Sequence, residues 1–144
     1  LKLLSNSMTK NVENSLTYRF PDLKFINKKK PFSQIMYDYG ISIHLFLGTP
    51  FFESMYYDKP CILIFEKKMH LNFDKKFLSI LKKLKDNNIC FNNAYEASKF
   101  LNKNSNNIYK WWDNKKLKKI KKEFCNIYCN NFNSDKDVFK KLFN

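Results

Sequence analysis

The stretch ISIHLFLGTPFFESMYYDKPCILIF, residues 41–65, decides the fold class. It reads as two apolar runs, Ile41–Leu47 and Cys61–Phe65, separated by a Gly-Thr-Pro turn, a short helical segment and an Asp-Lys-Pro turn. Short apolar runs bounded by Gly and Pro are typical of strands buried in a parallel sheet. Since a strand–helix–strand unit is parallel and right-handed in nearly all proteins, the stretch predicts two neighbouring parallel strands.

The same alternation continues downstream. A helical stripe of apolar residues precedes a short strand at 89–91, and the Asn93/Glu96 pair resembles a capping box that starts the next helix. After Trp111-Trp112, Asp113 is the predicted cap of a long basic helix over 114–131, and Ser134 opens a last short helix. We therefore predict an α/β fold with a small, Rossmann-like parallel sheet, flanking helices and a helical C-terminal tail.

Upstream of the quoted stretch the pattern is weaker. Residues 1–14 are polar and unpatterned, which favours a tail or a poorly ordered segment, and residues 15–144 are expected to form the domain. The run Asp22–Asn27 alternates polar and apolar residues and predicts a short strand. A helix is predicted to begin near Pro31 and to stop at Gly40.

Composition restricts the function classes. The chain has 144 residues, a formal net charge of +14 and a pI near 9.6. Clustered lysines attract polyanions, but the near absence of Arg argues against specific nucleic-acid binding, because Arg supplies most bidentate contacts to bases and phosphates. The four cysteines form no C-x-x-C pair and predict buried, reduced thiols; they are Cys61, Cys90, Cys125 and Cys129. The Glu and Asp residues are scattered along the sequence, and we expect neither a metal nor a cofactor.

The candidate site is the turn Leu47–Pro50 between the first predicted strand and its helix. Ligands of open parallel sheets bind at the carboxyl ends of strands, where helix amides and the helix dipole favour phosphate. Gly48 allows close backbone approach, Thr49 offers a hydroxyl, and Glu53 follows one turn into the helix. Ordinary capping, with Thr49 as N-cap and Pro50 as first helical residue, explains the same residues without a ligand.

The stretch is similar to a segment of GT-B-type glycosyltransferases. More narrowly, it resembles a transferase family encoded in O-antigen and other surface-polysaccharide gene clusters, in which a Thr-x-x-x-Glu element precedes an Asn/Asp-x-Pro turn and an apolar strand. Thr49, Glu53, Asp58 and Pro60 match that pattern. The resemblance extends from about Ser15 to Asn131, and the Trp111-Trp112 pair in its register after the sheet is its most specific part.

The resemblance implies an enzyme of polysaccharide biosynthesis, of which this chain is the C-terminal, donor-binding half. Because residues 1–14 show no signal-peptide pattern and no apolar run of spanning length, we expect a cytoplasmic location. Carried over by position, Thr49 and the amides of Phe51 and Phe52 would contact the diphosphate of a nucleotide sugar or similar donor, and Glu53 would hold a donor hydroxyl or ribose. Pro50 has no N–H to give. The acceptor-binding domain and the general base would lie in a missing N-terminal half, so that no catalytic residue is assigned and the chain alone is expected to be inactive.

Several residues are explained better by packing than by chemistry. We expect at most one of Trp111 and Trp112 to reach a site, and core packing is the favoured role of the pair. His44, inside a predicted strand, is expected to be a satisfied core histidine. The lysines of the 114–131 helix are usually a solvated face, and peripheral contact with the inner face of a membrane is the alternative. A noncatalytic basic module that binds nucleic acid or an anionic surface, and an inactive truncated fragment, also remain open.

Overall fold

The computed structural model describes residues 14–25, 30–66 and 73–129. The backbone divides into two compact units, Leu1–Ile35 and Met36–Asn144. In the first unit the described residues form helix α1 over 14–19 and the single-turn helix α2, Phe32–Ile35. The strand predicted at 22–27 is not formed at 22–25: Asp22 lies in a turn with Pro21, and residues 23–25 have no regular secondary structure. The remainder of that prediction, the tail 1–13 and the last helix lie outside the described residues.

The second unit alternates strands and helices, which confirms the predicted α/β class. A 3-10 turn, Met36–Asp38, precedes the first strand, and a second one, Ser105–Asn107, follows α5. In chain order the elements are β1 (Ser42–His44), α3 (Thr49–Tyr56), β2 (Cys61–Ile64), α4 (Lys75–Asp86), β3 (Cys90–Phe91), α5 (Ala94–Asn104), α6 (Ile108–Trp112) and α7 (Lys115–Tyr128).

The three strands form one parallel sheet in the order β1-β2-β3. Ser42 pairs with Cys61 at one end of the first ladder, and Leu63 pairs with Cys90 in the second. Successive side chains of a strand point to opposite faces. Cys61 and Leu63 accordingly face one core, while Ile62 faces the other.

Helices cover the two faces of the sheet unequally. The larger core lies under α3, α4 and α7, and it joins fully buried residues of all three helices to β2. Phe51, Leu84 and Phe124 have no exposed surface in that core. The smaller core lies under α5, which packs chiefly against β2 and β3. The structure is thus a parallel sheet between two helical layers, with α7 packed across α3 and α4.

The first predicted strand is shorter and more exposed than expected. Its regular pairing spans only Ser42–His44, and Ile43 is 51% exposed. The prediction of a buried strand over 41–47 is therefore wrong at this position. The physical reason is that β1 is an edge strand and α5 packs chiefly against β2 and β3, so that Ile43, Leu45 and Phe46 remain at the surface.

Helix caps agree with the sequence in one case and shift by one residue in two. The Asn93 carboxamide oxygen accepts from the Glu96 amide at 2.9 Å, which confirms the capping box. Gly48, not Thr49, is the N-cap of α3. Asn114, not Asp113, caps α7 by accepting from the Lys116 amide at 2.8 Å. Among the described residues no helix is both long and apolar enough to cross a bilayer.

Candidate functional site at the β1–α3 turn

The predicted site lies just after the carboxyl end of an edge strand, where β1 turns into α3. With Gly48 as cap, the amides of Gly48 and Thr49 have no carbonyl one turn earlier in the helix to which they can donate. The amides of Phe51 and Phe52 both donate to the Gly48 carbonyl, at 2.9 and 3.4 Å. Within the described part of the chain the amides of Gly48 and Thr49 therefore have no hydrogen-bond partner, and they lie one turn earlier than the pair that the sequence suggested.

Thr49 and Glu53 share the outward side of α3. Residues four apart lie above one another on a helix, and Thr49 is exposed while Glu53 is partly buried. Phe51 points the other way, into the core, where its ring meets that of Phe124 edge-on at 5.7 Å. Phe52 stacks on the same ring at 5.6 Å. Only the backbone of the two phenylalanines is thus available to the turn, since both rings pack inward.

Gly48 lies in close contact with the ring of Phe46. A Cβ at this position would overlap the ring of Phe46, which is 59% exposed and lies over the turn. The backbone of Gly48 is extended and unstrained, with φ −138° and ψ 172°. A ligand that approaches the Gly48 amide from the side of the Phe46 ring has to displace that ring, and its exposure leaves it free to move.

A polar cluster, formed by the partly buried Ser42 and the buried His44 and Ser54, lies between β1 and α3. The Ser42 hydroxyl is 2.9 Å from His44 Nε2 and 3.1 Å from the Ser54 hydroxyl, and His44 Nε2 is 3.2 Å from Ser54. Ser54 in turn donates to the Pro50 carbonyl at 2.9 Å. The cluster joins the end of β1 to the first turn of α3, so that it holds the candidate anion site in place.

Burial lowers the pKa of His44 to about 4, and the imidazole is therefore uncharged at neutral pH. This agrees with the expectation of a satisfied core histidine. Its partners Ser42 and Ser54 were not anticipated, because the contact depends on how α3 packs against β1. A buried histidine next to a sheet end is the signal that could have drawn attention to them.

Asp58, one of the residues that carry the family resemblance, has partners far along the chain. Its carboxylate accepts from Trp112 Nε1 at 2.9 Å and from Lys121 Nζ at 2.5 Å. The Lys121 ammonium also lies 4.1 Å from the centre of the Trp112 ring. Asp58 therefore connects the α3–β2 turn to α6 and α7, which is a structural role.

The tryptophan pair packs in the core, as expected. Trp112 is 2% exposed in the larger core, and Trp111 is partly buried, with its indole N–H donating to the Asn87 carbonyl at 3.3 Å. The cysteines are free thiols, and three of the four are buried, which confirms the prediction for them. Neither group contributes a side chain to the β1–α3 turn.

A cavity of about 390 Å³ lies at the opposite edge of the sheet, beside β3 and the start of α5. Two lysines, Lys85 and Lys99, and two carboxylates, Asp86 and Glu96, line it together with aromatic rings. Its charges balance, and it contains none of the residues of the β1–α3 turn. It is therefore separate from the predicted donor site.

The fold and the turn define a class: an α/β domain with a parallel sheet whose candidate ligand groups lie beyond the carboxyl end of a strand. A family model described as LIC12162 family transferase matches residues 2–143. The match spans nearly the whole chain, and the chain belongs to this family of transferases. Comparison with curated proteins found no match, and comparison with solved structures found none either.

Proposed function

We propose that this chain is the donor-binding portion of a glycosyltransferase-like enzyme of the GT-B type. In this proposal the β1–α3 turn holds the diphosphate of a nucleotide-activated sugar or a similar donor. The observation that carries the proposal is the pair of amides at Gly48 and Thr49 beyond the end of a parallel strand. Membership of a transferase family supports it, because a transferase must bind an activated donor.

The backbone amides and side chains from Gly48 to Glu53 have separate roles in the proposal. The Thr49 hydroxyl and the Gly48 and Thr49 amides donate to the diphosphate, and the dipole of α3 adds positive potential at the same point. Glu53 accepts from a donor hydroxyl. The amides of Phe51 and Phe52 already donate to the Gly48 carbonyl. They could bind the diphosphate only through bifurcated hydrogen bonds that the carbonyl also accepts. The acceptor and the general base belong to another part of the enzyme.

An exposed apolar surface supports a partner domain. Ile43, Leu45 and Phe46 are 51%, 63% and 59% exposed, and they follow one another along β1 and the turn. Contiguous exposed apolar side chains mark interaction surfaces in many proteins. We infer that the acceptor domain docks beside the β1 edge, next to the donor, and that the enzyme acts in surface-polysaccharide assembly, including O-antigen, on the cytoplasmic side of the membrane.

The test is titration calorimetry of the chain with a panel of nucleoside diphosphates and nucleotide sugars. We expect selective binding that Thr49→Ala and Glu53→Gln each weaken about tenfold or more, since a hydrogen bond to a charged or buried group contributes about 1.5–3 kcal/mol. Ser98→Ala on α5 and Glu123→Gln on α7 are matched controls that remove the same groups elsewhere. Binding that is the same for every polyphosphate, falls with salt and ignores both site variants would rule the proposal out.

A further inference from the structure

The outward surface of α4 and α7 is strongly basic. It carries nine exposed lysines, and we call this surface the lysine face. Its members are Lys75, Lys76, Lys82 and Lys83 of α4 and Lys115, Lys116, Lys118, Lys119 and Lys122 of α7. No residue of the β1–α3 turn belongs to it. The lysine face is therefore a feature that donor binding does not explain.

The two helices form one continuous surface because they are antiparallel neighbours. Lys83 contacts Glu123 at 2.5 Å near the middle of α7, while the rings of Phe77 and Tyr128 meet at 5.6 Å toward its end. Within α7 the buried side chains, Phe124 among them, occupy the opposite side to most of the lysines. The apolar sides of both helices are used by the core, so that only their charged sides face solvent.

The positive charge of the lysine face is only partly neutralised. Four carboxylates lie on the same helices or at their ends, fewer than the nine lysines, so that within the described part of the chain most of these lysines have no carboxylate partner. Glu123 pairs with Lys83, Asp113 lies 3.4 Å from Lys118, and the Asp74 carboxylate caps the Phe77 amide. An array of this kind attracts a polyanion over a distance of about 8–10 Å at physiological salt.

The character of the face favours a bilayer over a nucleic acid. Every cation on it is a lysine, a point charge without the planar fork with which arginine reads bases and pairs bidentately with phosphates. At one end of the helix pair, Phe73 and Ile127 are 36% and 38% exposed. Phe73 and Ile127 lie at the same end of the helix pair, because the Phe73 ring contacts Phe77 and the Phe77 ring contacts Tyr128, the neighbour of Ile127. Apolar side chains beside lysines suit the head-group region of a membrane.

We propose that the lysine face holds this protein on the surface of a bilayer that contains anionic phospholipids. Each lysine near such a surface raises the membrane partition coefficient about fivefold, so that several lysines together give stable binding. The attachment is peripheral, because the apolar sides of α4 and α7 stay in the core. Attachment by this face does not depend on what the β1–α3 turn binds.

The test is sedimentation of the full chain with vesicles of phosphatidylcholine, alone or mixed with an equal share of phosphatidylglycerol. We expect binding to the mixed vesicles only, and an approximately tenfold or larger loss for Lys119→Gln with Lys122→Gln. The matched control, Lys99→Gln with Lys103→Gln on α5, removes the same charge from the other side of the sheet and should change binding less than about twofold. All four lysines lie on the solvent side of their helices, so that the fold is retained.

Three results would overturn the proposal. Equal losses for the two pairs of variants would mean that net charge alone drives binding. Equal binding to vesicles of phosphatidylcholine alone would remove the role of anionic lipid. Displacement of the chain from mixed vesicles by duplex DNA at equal phosphate concentration would make nucleic acid the preferred partner. A failure of nucleotide titration leaves all three results unaffected, so that this test and that of the donor site are independent.

Discussion

Lys121 is the most buried charged side chain in the described residues, with 4% of its surface exposed. Its ammonium donates to the Asp58 carboxylate at 2.5 Å and to the Trp112 carbonyl at 3.0 Å. Asp58 differs from it, because its side chain is 58% exposed and its backbone is left-handed, with φ 53°. The cation is thus dehydrated while the anion keeps much of its water, and the two partners should not be equivalent in mutagenesis.

We predict that Asp58→Asn lowers the free energy of unfolding by about 3 kcal/mol, since it leaves a buried ammonium without an anion. Asn is chosen because it tolerates a left-handed backbone. Lys121→Met should cost only about 1 kcal/mol, because the exposed carboxylate is solvated in its absence. Urea unfolding checks both. The double variant should be more stable than Asp58→Asn alone, and the idea fails if the two single changes cost the same.

At the scale of elements, the start of α7 is decided by where α6 ends. The Asp113 amide donates to the Tyr109 carbonyl at 2.9 Å, so that Asp113 still closes the last turn of α6. Asn114 is the first residue free to adopt the extended backbone of a cap, with φ −59° and ψ 136°. Asp and Asn cap equally well, so sequence alone could not choose between the two neighbours.

Asn114→Ala is expected to lower the free energy of unfolding by about 1 kcal/mol, because the Lys116 amide loses its acceptor. Asp113→Ala should stay within about 0.5 kcal/mol, since the ion pair of its carboxylate with Lys118 is exposed to solvent. Thermal or urea unfolding of the two alanine variants measures the difference. A larger cost for Asp113 would return the cap to the residue that the sequence pattern favoured.

Elements were predictable here wherever local pattern decides the outcome. The apolar stripe of α4 and the Asn93/Glu96 capping box depend on neighbours within a turn or two, and both were confirmed. The exposure of Ile43 was not predictable, because it depends on which strands α5 covers. The contact of His44 with Ser54 likewise requires α3 to pack on β1. The site residues Gly48, Thr49 and Glu53 remain predictions, although among the described residues the Gly48 and Thr49 amides have no partner.

At the scale of the whole molecule, charge sets the response to acid. The chain has a formal net charge of +14 at neutral pH, and each further proton adds to repulsion within the folded state. Protonation of the exposed carboxylates at low pH increases this repulsion in wild type and in every variant. His44 is a separate case, because its site is buried and the folded protein resists the proton that the unfolded chain accepts readily.

Burial lowers the pKa of His44 to about 4, from an ordinary value near 6.5. Between those values the unfolded chain binds the proton and the folded chain does not. The free energy of unfolding therefore has its full value, as far as His44 is concerned, above pH 6.5. It falls progressively as the pH drops toward 4, by at most about 3 kcal/mol. We predict that His44→Gln, which keeps a polar side chain beside Ser42 and Ser54, has a flatter stability profile over this window.

Urea unfolding at a series of pH values measures the two stability profiles. The difference between wild type and variant isolates His44, because all carboxylates titrate in both. Parallel profiles for the two proteins would show that His44 takes up its proton equally well in the folded state.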